Sequence, residues 1–259
     1  IARLKELARK ARIDVVRMLA AAGSGHPGGS LSEIEILVSL YGHVLRHDPK
    51  NPKWPGRDRF VLSKGHGIPG LYAVMAAFGY CLPDSLESLR QLDSSLQGHP
   101  DRCRMPGLEA STGSLGQGLS IAVGYALASR LDSDPYRVYC LIGDGESQEG
   151  QIWEAALCAP KYRLDNLVCI LDYNKAQIDG FVHEVMPLEP IADKWLSFGW
   201  HVIKVNGHDF DQIIGAFEEA KSVKQKPVFI IADTVKGKGV SFMEGKVDWH
   251  GVAPNAEQA

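Results

Sequence analysis

Two apolar runs, each cut short by a polar turn, constrain this chain most. Val138-Tyr139-Cys140-Leu141-Ile142 breaks into Gly143-Asp144-Gly145-Glu146-Ser147, and Leu167-Val168-Cys169-Ile170-Leu171 ends at Asp172-Tyr173-Asn174-Lys175. Between them, Ile152 to Lys161 has helical spacing. Such runs predict buried strands of a parallel sheet joined by a helix. A strand ending in Gly-Asp-Gly sets a carboxylate at the sheet's carboxyl edge, where glycines let backbone amides approach an anion. The next strand delivers Asn174 to the same edge. A carboxylate, an amide oxygen and nearby carbonyls are hard oxygen ligands, suited to a divalent cation that holds a diphosphate. Gly-Asp-Gly by itself is an ordinary turn. The flanking strands and the spacing to Asn174 favour the cofactor reading.

The rest of the chain extends this pattern. Ile1 to Ala22 carries Leu4, Leu7, Ala8, Ala11, Val15, Met18, Leu19 and Ala22 at helical spacing, ended by Gly23. Helices are predicted over Ile34 to Val44, with Ser30 or Ser32 as its cap, and over Leu71 to Phe78, Ile121 to Ser129 and Phe210 to Val223. Leu86 to Leu92 reads as a short helix, and Asp209 as the N-cap of the helix after it. Further strands are predicted within Arg57 to Gly67, a short one leaving His66 at its carboxyl end, over His201 to Val205 and over Pro227 to Asp233. Strands alternating with helices define an α/β fold, one doubly wound, mostly parallel sheet with helices on both faces, over residues 1–259 as a single domain.

Composition narrows the partners. The chain has 259 residues, 45% of them hydrophobic, and a formal net charge of −3, so nothing is basic enough to suggest nucleic acid. No apolar run approaches a membrane span. The five cysteines are scattered without a Cys-x-x-Cys pair, which predicts free thiols in a reducing compartment, the cytoplasm.

Histidines recur in glycine-bearing loops: Gly25-His26-Pro27-Gly28-Gly29, Leu62-Ser63-Lys64-Gly65-His66-Gly67, Gln97-Gly98-His99-Pro100 and Trp249-His250-Gly251. Each alone is a turn or tail residue. Thr112-Gly113-Ser114-Leu115-Gly116-Gln117-Gly118 opens the helix of small residues. Lys236-Gly237-Lys238-Gly239 lacks the frame and the Ser/Thr partner of a P-loop. His208, between strand and helix, is expected to carry no chemistry.

Together, in order and over nearly the whole chain, these strings resemble the transketolase family. The resemblance covers Gly-His-Pro-Gly, Asp-Arg-Phe-Val-Leu-Ser-x-Gly-His, Thr-Gly-x-Leu-Gly-Gln-Gly, Gly-Asp-Gly with its Asn, and the last histidine. The chain departs from the family at Gly67, usually Ala, at Ser114, usually Pro, and at Ala176, usually a branched residue. The resemblance implies the thiamin-diphosphate-binding fold, diphosphate domain, with thiamin diphosphate and Mg²⁺, or Ca²⁺ in its place. Asp144, Asn174 and the Ala176 carbonyl would hold the metal. Gly145 would give the diphosphate a close backbone approach, His66 and His250 would contact phosphate oxygens, and Gly113 and Leu115 would lie against the cofactor. His26, His66, His99 and His250 would be the catalytic histidines; His26, His99 and His250 would line the substrate channel and move protons. Glu149 and Glu154 are ordinary helix-surface charges by type, but the matching acids of the family lie near the cofactor and the dimer contact.

A whole transketolase adds a pyrimidine-binding domain, which carries the acid that protonates the pyrimidine, and a third domain. The chain is therefore expected to be the N-terminal subunit of a split transketolase, active only when a C-terminal subunit joins it in a heterotetramer. Its substrates would be sugar phosphates, a ketose giving a two-carbon ketol unit to an aldose. Open alternatives are a split enzyme for an unusual sugar, a non-catalytic subunit that keeps the fold, and one domain of a longer enzyme.

Overall fold

The computed structural model describes residues 1–132 and 135–259. Helix α1 (Ala2–Ala22) buries Leu4, Ala8, Ala11, Val15, Met18 and Leu19 on one face. It stops at Gly23, whose φ of 62° is a left-handed conformation that costs glycine nothing; its N–H caps Leu19 and Ala20. The helix expected over Ile34 to Val44 begins earlier and is segmented. A short α2 (Pro27–Ser32) precedes α3 (Ile34–Ser39), which relaxes into a π-turn over Leu40–Val44. Two glycines inside α2 oppose helix propensity, and packing overrides it. A Cβ on Gly28 would meet the Trp249 carbonyl at 2.8 Å, so glycine is what lets the two segments touch. Neither Ser30 nor Ser32 caps α3. Their hydroxyls donate to the His26 carbonyl and to Asp172 instead.

Five strands, β1 (Arg59–Leu62), β2 (Val138–Gly143), β3 (Leu167–Tyr173), β4 (His201–Asn206) and β5 (Val228–Asp233), form one sheet in the order β1-β2-β3-β5-β4. Every neighbouring pair is parallel. Side chains alternate between two apolar layers, as a pleated strand requires. On β2, Tyr139 and Leu141 enter one layer while Val138, Cys140 and Ile142 enter the other. The first layer is closed by α1, α3, α4 (Ile68–Ala77) and α9 (Phe210–Ser222). The second is closed by α5 (Gln117–Leu131), α6 (Gly150–Lys161), the single turn α7 (Val182–Val185) and α8 (Ile191–Ser197). Handedness accounts for the split. From β2 to β3 the chain advances across the sheet through α6, and from β4 to β5 it returns through α9. A right-handed crossover puts those two helices on opposite faces.

Asp209 caps α9, accepting from the Asp211 and Gln212 amides. The expected helix over Leu86 to Leu92 is a 3₁₀ turn shifted to Pro83–Ser88. No helix among the described residues is long and apolar enough to cross a membrane.

Candidate active site

A cavity of about 520 Å³ lies at the carboxyl ends of β2 and β3, where the sheet runs out of backbone partners. Its walls bring together His26, His66, His99, His250, Gly113, Leu115, Asp144, Gly145, Asn174 and Ala176. Glu149 also reaches the wall. Glu154 does not: it faces solvent on α6. A larger cavity of about 690 Å³ sits at the ends of β3, β4 and β5 and contains none of these groups.

Four imidazoles crowd one side. The ring of His26 is 5.4 Å from that of His66, 6.2 Å from His99 and 5.7 Å from His250, and His66 lies 5.3 Å from His250. Burial, joined by Arg90 and His99, holds His26 down to about 4, and burial with Lys236 holds His250 down to about 3. His66 and His99 are depressed by burial too. The cluster is therefore neutral near pH 7, and each ring offers one hydrogen-bond donor and one acceptor. His26 Nδ1 is buried without a partner, an orphan acceptor or donor of the kind a ligand satisfies.

The ends of β2 and β3 contribute oxygens. Asp144 leaves β2 with both carboxylate oxygens engaged by backbone amides, Oδ1 by Gly145 at 2.7 Å and Oδ2 by Lys175. Asn174 Oδ1 accepts from the Ala176 amide at 3.2 Å. Burial and the neighbouring Asp172 charge push the Asp144 carboxyl up, so a cation there would be strongly favoured. A Cβ on Gly145 would clash with Gln177 Cβ at 2.7 Å, so glycine is what lets the loop after Asn174 pack against the end of β2. One carboxylate, one amide oxygen and one backbone carbonyl suit a hard divalent cation that keeps other ligands from a diphosphate. Among the described residues no group of three or more His, Cys, Asp or Glu is arranged to hold a metal ion, so a cation here would depend on amide and carbonyl oxygens and on a bound anion.

Several buried charges at this edge escape sequence reasoning. Lys236, 2% exposed, donates to His250 Nδ1 at 2.9 Å and to the Ala176 carbonyl at 3.2 Å. Glu146 ties three loops, accepting from Ser63 Oγ at 2.5 Å and from the amides of Gly116 and Gly143 at 2.9 Å. Lys64, which lines the cavity, pairs with Glu33 and Asp172 in a buried ionic knot. Asp172 carries a visible signal, a carboxylate inside an otherwise apolar strand. His208 is structural, bridging Glu35 at 3.0 Å and the Val235 amide at 2.9 Å.

An open parallel sheet whose cavity gathers a carboxylate, an amide and four imidazoles at its carboxyl edge has the layout of a cofactor-binding α/β domain. The family profile described as transketolase, thiamine diphosphate binding domain, matches residues 4–259. The chain is 53% identical over 228 residues to the 6-deoxy-6-sulfo-D-fructose transketolase subunit of Clostridium sp. (strain MSTE9), covering 88% of this chain and 83% of that one. It is 45% identical to an apulose-4-phosphate transketolase subunit of Phocaeicola vulgatus, covering 96% and 88%. The solved transketolase of Campylobacter jejuni superposes with a TM-score of 0.94 at 38% identity, over 100% of this chain but 42% of that one. The chain belongs to the transketolase family and carries its thiamine diphosphate binding domain. It spans about two fifths of the solved transketolase, and most of the length of the relatives that are separate subunits.

Proposed function

We propose that this chain is the diphosphate-binding subunit of a two-chain transketolase, moving a two-carbon ketol unit from a ketose to an aldose. The convergence of the four histidines and the Asp144–Asn174–Ala176 oxygen site on one cavity carries the reading. Asp144, Asn174 and the Ala176 carbonyl would hold Mg²⁺, or Ca²⁺, with the diphosphate completing its shell. His66, His250 and Lys236 would meet phosphate oxygens, and Gly113, Leu115 and Gly145 would lie against the cofactor. Bound thiamin diphosphate supplies the electron sink that lets a ketose C2–C3 bond break. The chain's own part is to orient and to manage protons. Neutral His26 and His99 on the cavity wall would accept a hydrogen bond from a donor-sugar hydroxyl, take its proton as the C2–C3 bond breaks and return it to the acceptor.

The pyrimidine-binding domain would come from a partner chain, giving a heterotetramer with two sites in the cytoplasm. Glu154, exposed on α6, would lie toward that partner rather than the cavity. The substrate is a sugar phosphate of the pentose phosphate type or a modified ketose. The 53% identity to a sulfofructose transketolase subunit favours the second.

The test is ketol transfer with thiamin diphosphate and Mg²⁺, using xylulose 5-phosphate and 6-deoxy-6-sulfofructose as donors, on the chain alone and with its co-purifying partner. Activity only in the mixture supports the reading, and the preferred donor decides the substrate class. Activity from the chain alone would remove the split-enzyme reading; silence with both donors would remove the substrate assignment. In the active mixture, His26→Ala should slow transfer about 100-fold, the lower end for a lost acid–base group, and weaken cofactor binding far less. The reverse ordering would make His26 a cofactor residue.

A further inference from the structure

Four segments feed the cavity, and each is pinned to one buried knot close to the residue it presents. Lys64, two positions before His66, reaches Glu33 Oε2 at 2.8 Å and Asp172 Oδ2 at 2.6 Å, and donates to the Gly29 carbonyl at 2.7 Å. The Lys64, Glu33 and Asp172 side chains are at most 1% exposed. Thr234, two positions before Lys236, donates to Asp172 Oδ1, and Ser32, beyond the His26 loop, donates to Asp172 Oδ2 at 2.5 Å.

Asp172 is also two positions before Asn174, which follows the end of β3, and the two side chains meet there. Asn174 Nδ2 donates to Asp172 Oδ2 at 3.2 Å and lies 3.4 Å from Ser32 Oγ. A primary amide has two ends of nearly equal shape, one a donor and one an acceptor. An ionised carboxylate only accepts, so it can face only the NH₂ end. With Lys64, Ser32 and Thr234 holding Asp172 charged and still, the amide has one satisfied orientation, with Oδ1 turned away from the knot.

We propose that Asp172, held by Lys64, is a positioning residue that locks the Asn174 amide so that its oxygen is the atom offered to the cation. The proposal rests on the metal reading given above. It differs from a fold-stapling role, because a buried ion pair is a poor source of stability next to a well-packed apolar substitute. What the knot supplies is a fixed acceptor.

The experiment measures Mn²⁺ binding by electron paramagnetic resonance, with thiamin diphosphate present, on the chain assembled with its partner. Asp172→Asn should raise the half-saturating Mn²⁺ concentration about 10–100-fold, the usual effect of losing a group that orients a ligand. Ser32→Ala, a milder change less prone to fail in folding, should raise it about threefold, a fraction of that effect. Glu33→Gln touches Lys64 but neither Asn174 nor any cavity oxygen, so it should lower the melting temperature while leaving Mn²⁺ binding unshifted. Equal Mn²⁺ losses in Glu33→Gln and Asp172→Asn would overturn the proposal in favour of a staple. So would a Ser32→Ala variant indistinguishable from wild type, should Asp172→Asn not fold. If wild type itself shows no Mn²⁺ requirement, the metal reading falls and this proposal with it. A metal-dependent wild type with an unshifted Asp172→Asn overturns this proposal alone.

Discussion

Under the sheet, Trp195 lies flat against Phe229 with ring centroids 3.7 Å apart and planes 6° from parallel, and Trp200 meets Trp195 edge-on at 4.8 Å. At the carboxyl edge of the same strands, Lys64 sits equally buried between Glu33 and Asp172. Both regions exclude water, but they do so differently. The aromatic stack gains from every contact and asks only for shape. The ionic edge loses solvation on its charges and recovers it, at Asp172 and Lys64, through hydrogen bonds with assigned donors and acceptors. One region stabilises the fold and the other fixes atoms in place. The difference predicts that damage to each should show in a different measurement.

The largest effect belongs to the aromatic layer. Trp195→Ala leaves a cavity beside Phe229 and should cost about 3–5 kcal/mol of folding stability. Urea denaturation of the unliganded chain measures it, and Mn²⁺ binding by the fraction that stays folded should match wild type. A fall in Mn²⁺ affinity parallel to the loss of stability would mean that the two regions are one unit, and the contrast would fail.

Asp144→Ala should show the opposite pattern. Metal-dependent cofactor binding should weaken by about 100-fold or more, at or beyond the range seen for residues that only orient a ligand. Stability without cofactor should hold or rise, because burial and the Asp172 charge already disfavour this carboxylate. Calorimetric titration of thiamin diphosphate with Mg²⁺, on chain and partner together, separates the two. Normal affinity would sink the metal assignment.

The same contrast explains what can be read in the sequence. The apolar layers announce themselves by period: two along β2, where Val138 to Ile142 alternate between layers, and three to four along α1. The glycine and histidine strings are legible because their order along the chain resembles a known family, and the cavity walls contain all but Glu154 of the residues so chosen. Glu154 comes from the family pattern alone, and on α6 it faces outward. The knot is not legible. Lys64 and Asp172 are 108 positions apart and Ser32 and Asp172 are 140, and no local pattern says which buried charges will meet. Lys236 is hidden for a related reason. It sits in a Lys-Gly-Lys-Gly string that looks like solvated loop, yet its ammonium ends between His250 and the Ala176 carbonyl. The broken helix at α2 and α3 follows the same rule: Gly28 belongs to a helix because Trp249 needs the room.

The smallest effect sharpens the contrast through pH. Folding holds His26 at about 4 and His250 at about 3, both against an ordinary value of 6.5. Below pH 6.5 the unfolded chain takes up protons that the folded cluster refuses, so these two histidines make stability fall as pH drops from 6.5 toward 4. Above 6.5 they contribute no slope. Asp144 and Glu33, pushed up by burial, act in the opposite sense, since their folded forms hold protons that the unfolded chain has released. The informative quantity is therefore the difference between wild type and a His26→Gln/His250→Gln variant, not the wild-type curve alone. Urea midpoints of the unliganded chain at about pH 7, 5.5 and 4.5, values that bracket the ordinary histidine range, should converge on those of the variant as pH rises. At about pH 4.5, below the ordinary histidine value, the variant should be the more resistant. Trp195→Ala, which removes no titrating group, should instead shift the whole curve without changing its shape. Parallel curves for wild type and the histidine variant would mean that the imidazoles are free to charge in the folded chain, and that this side of the cavity is wetter than its packing implies.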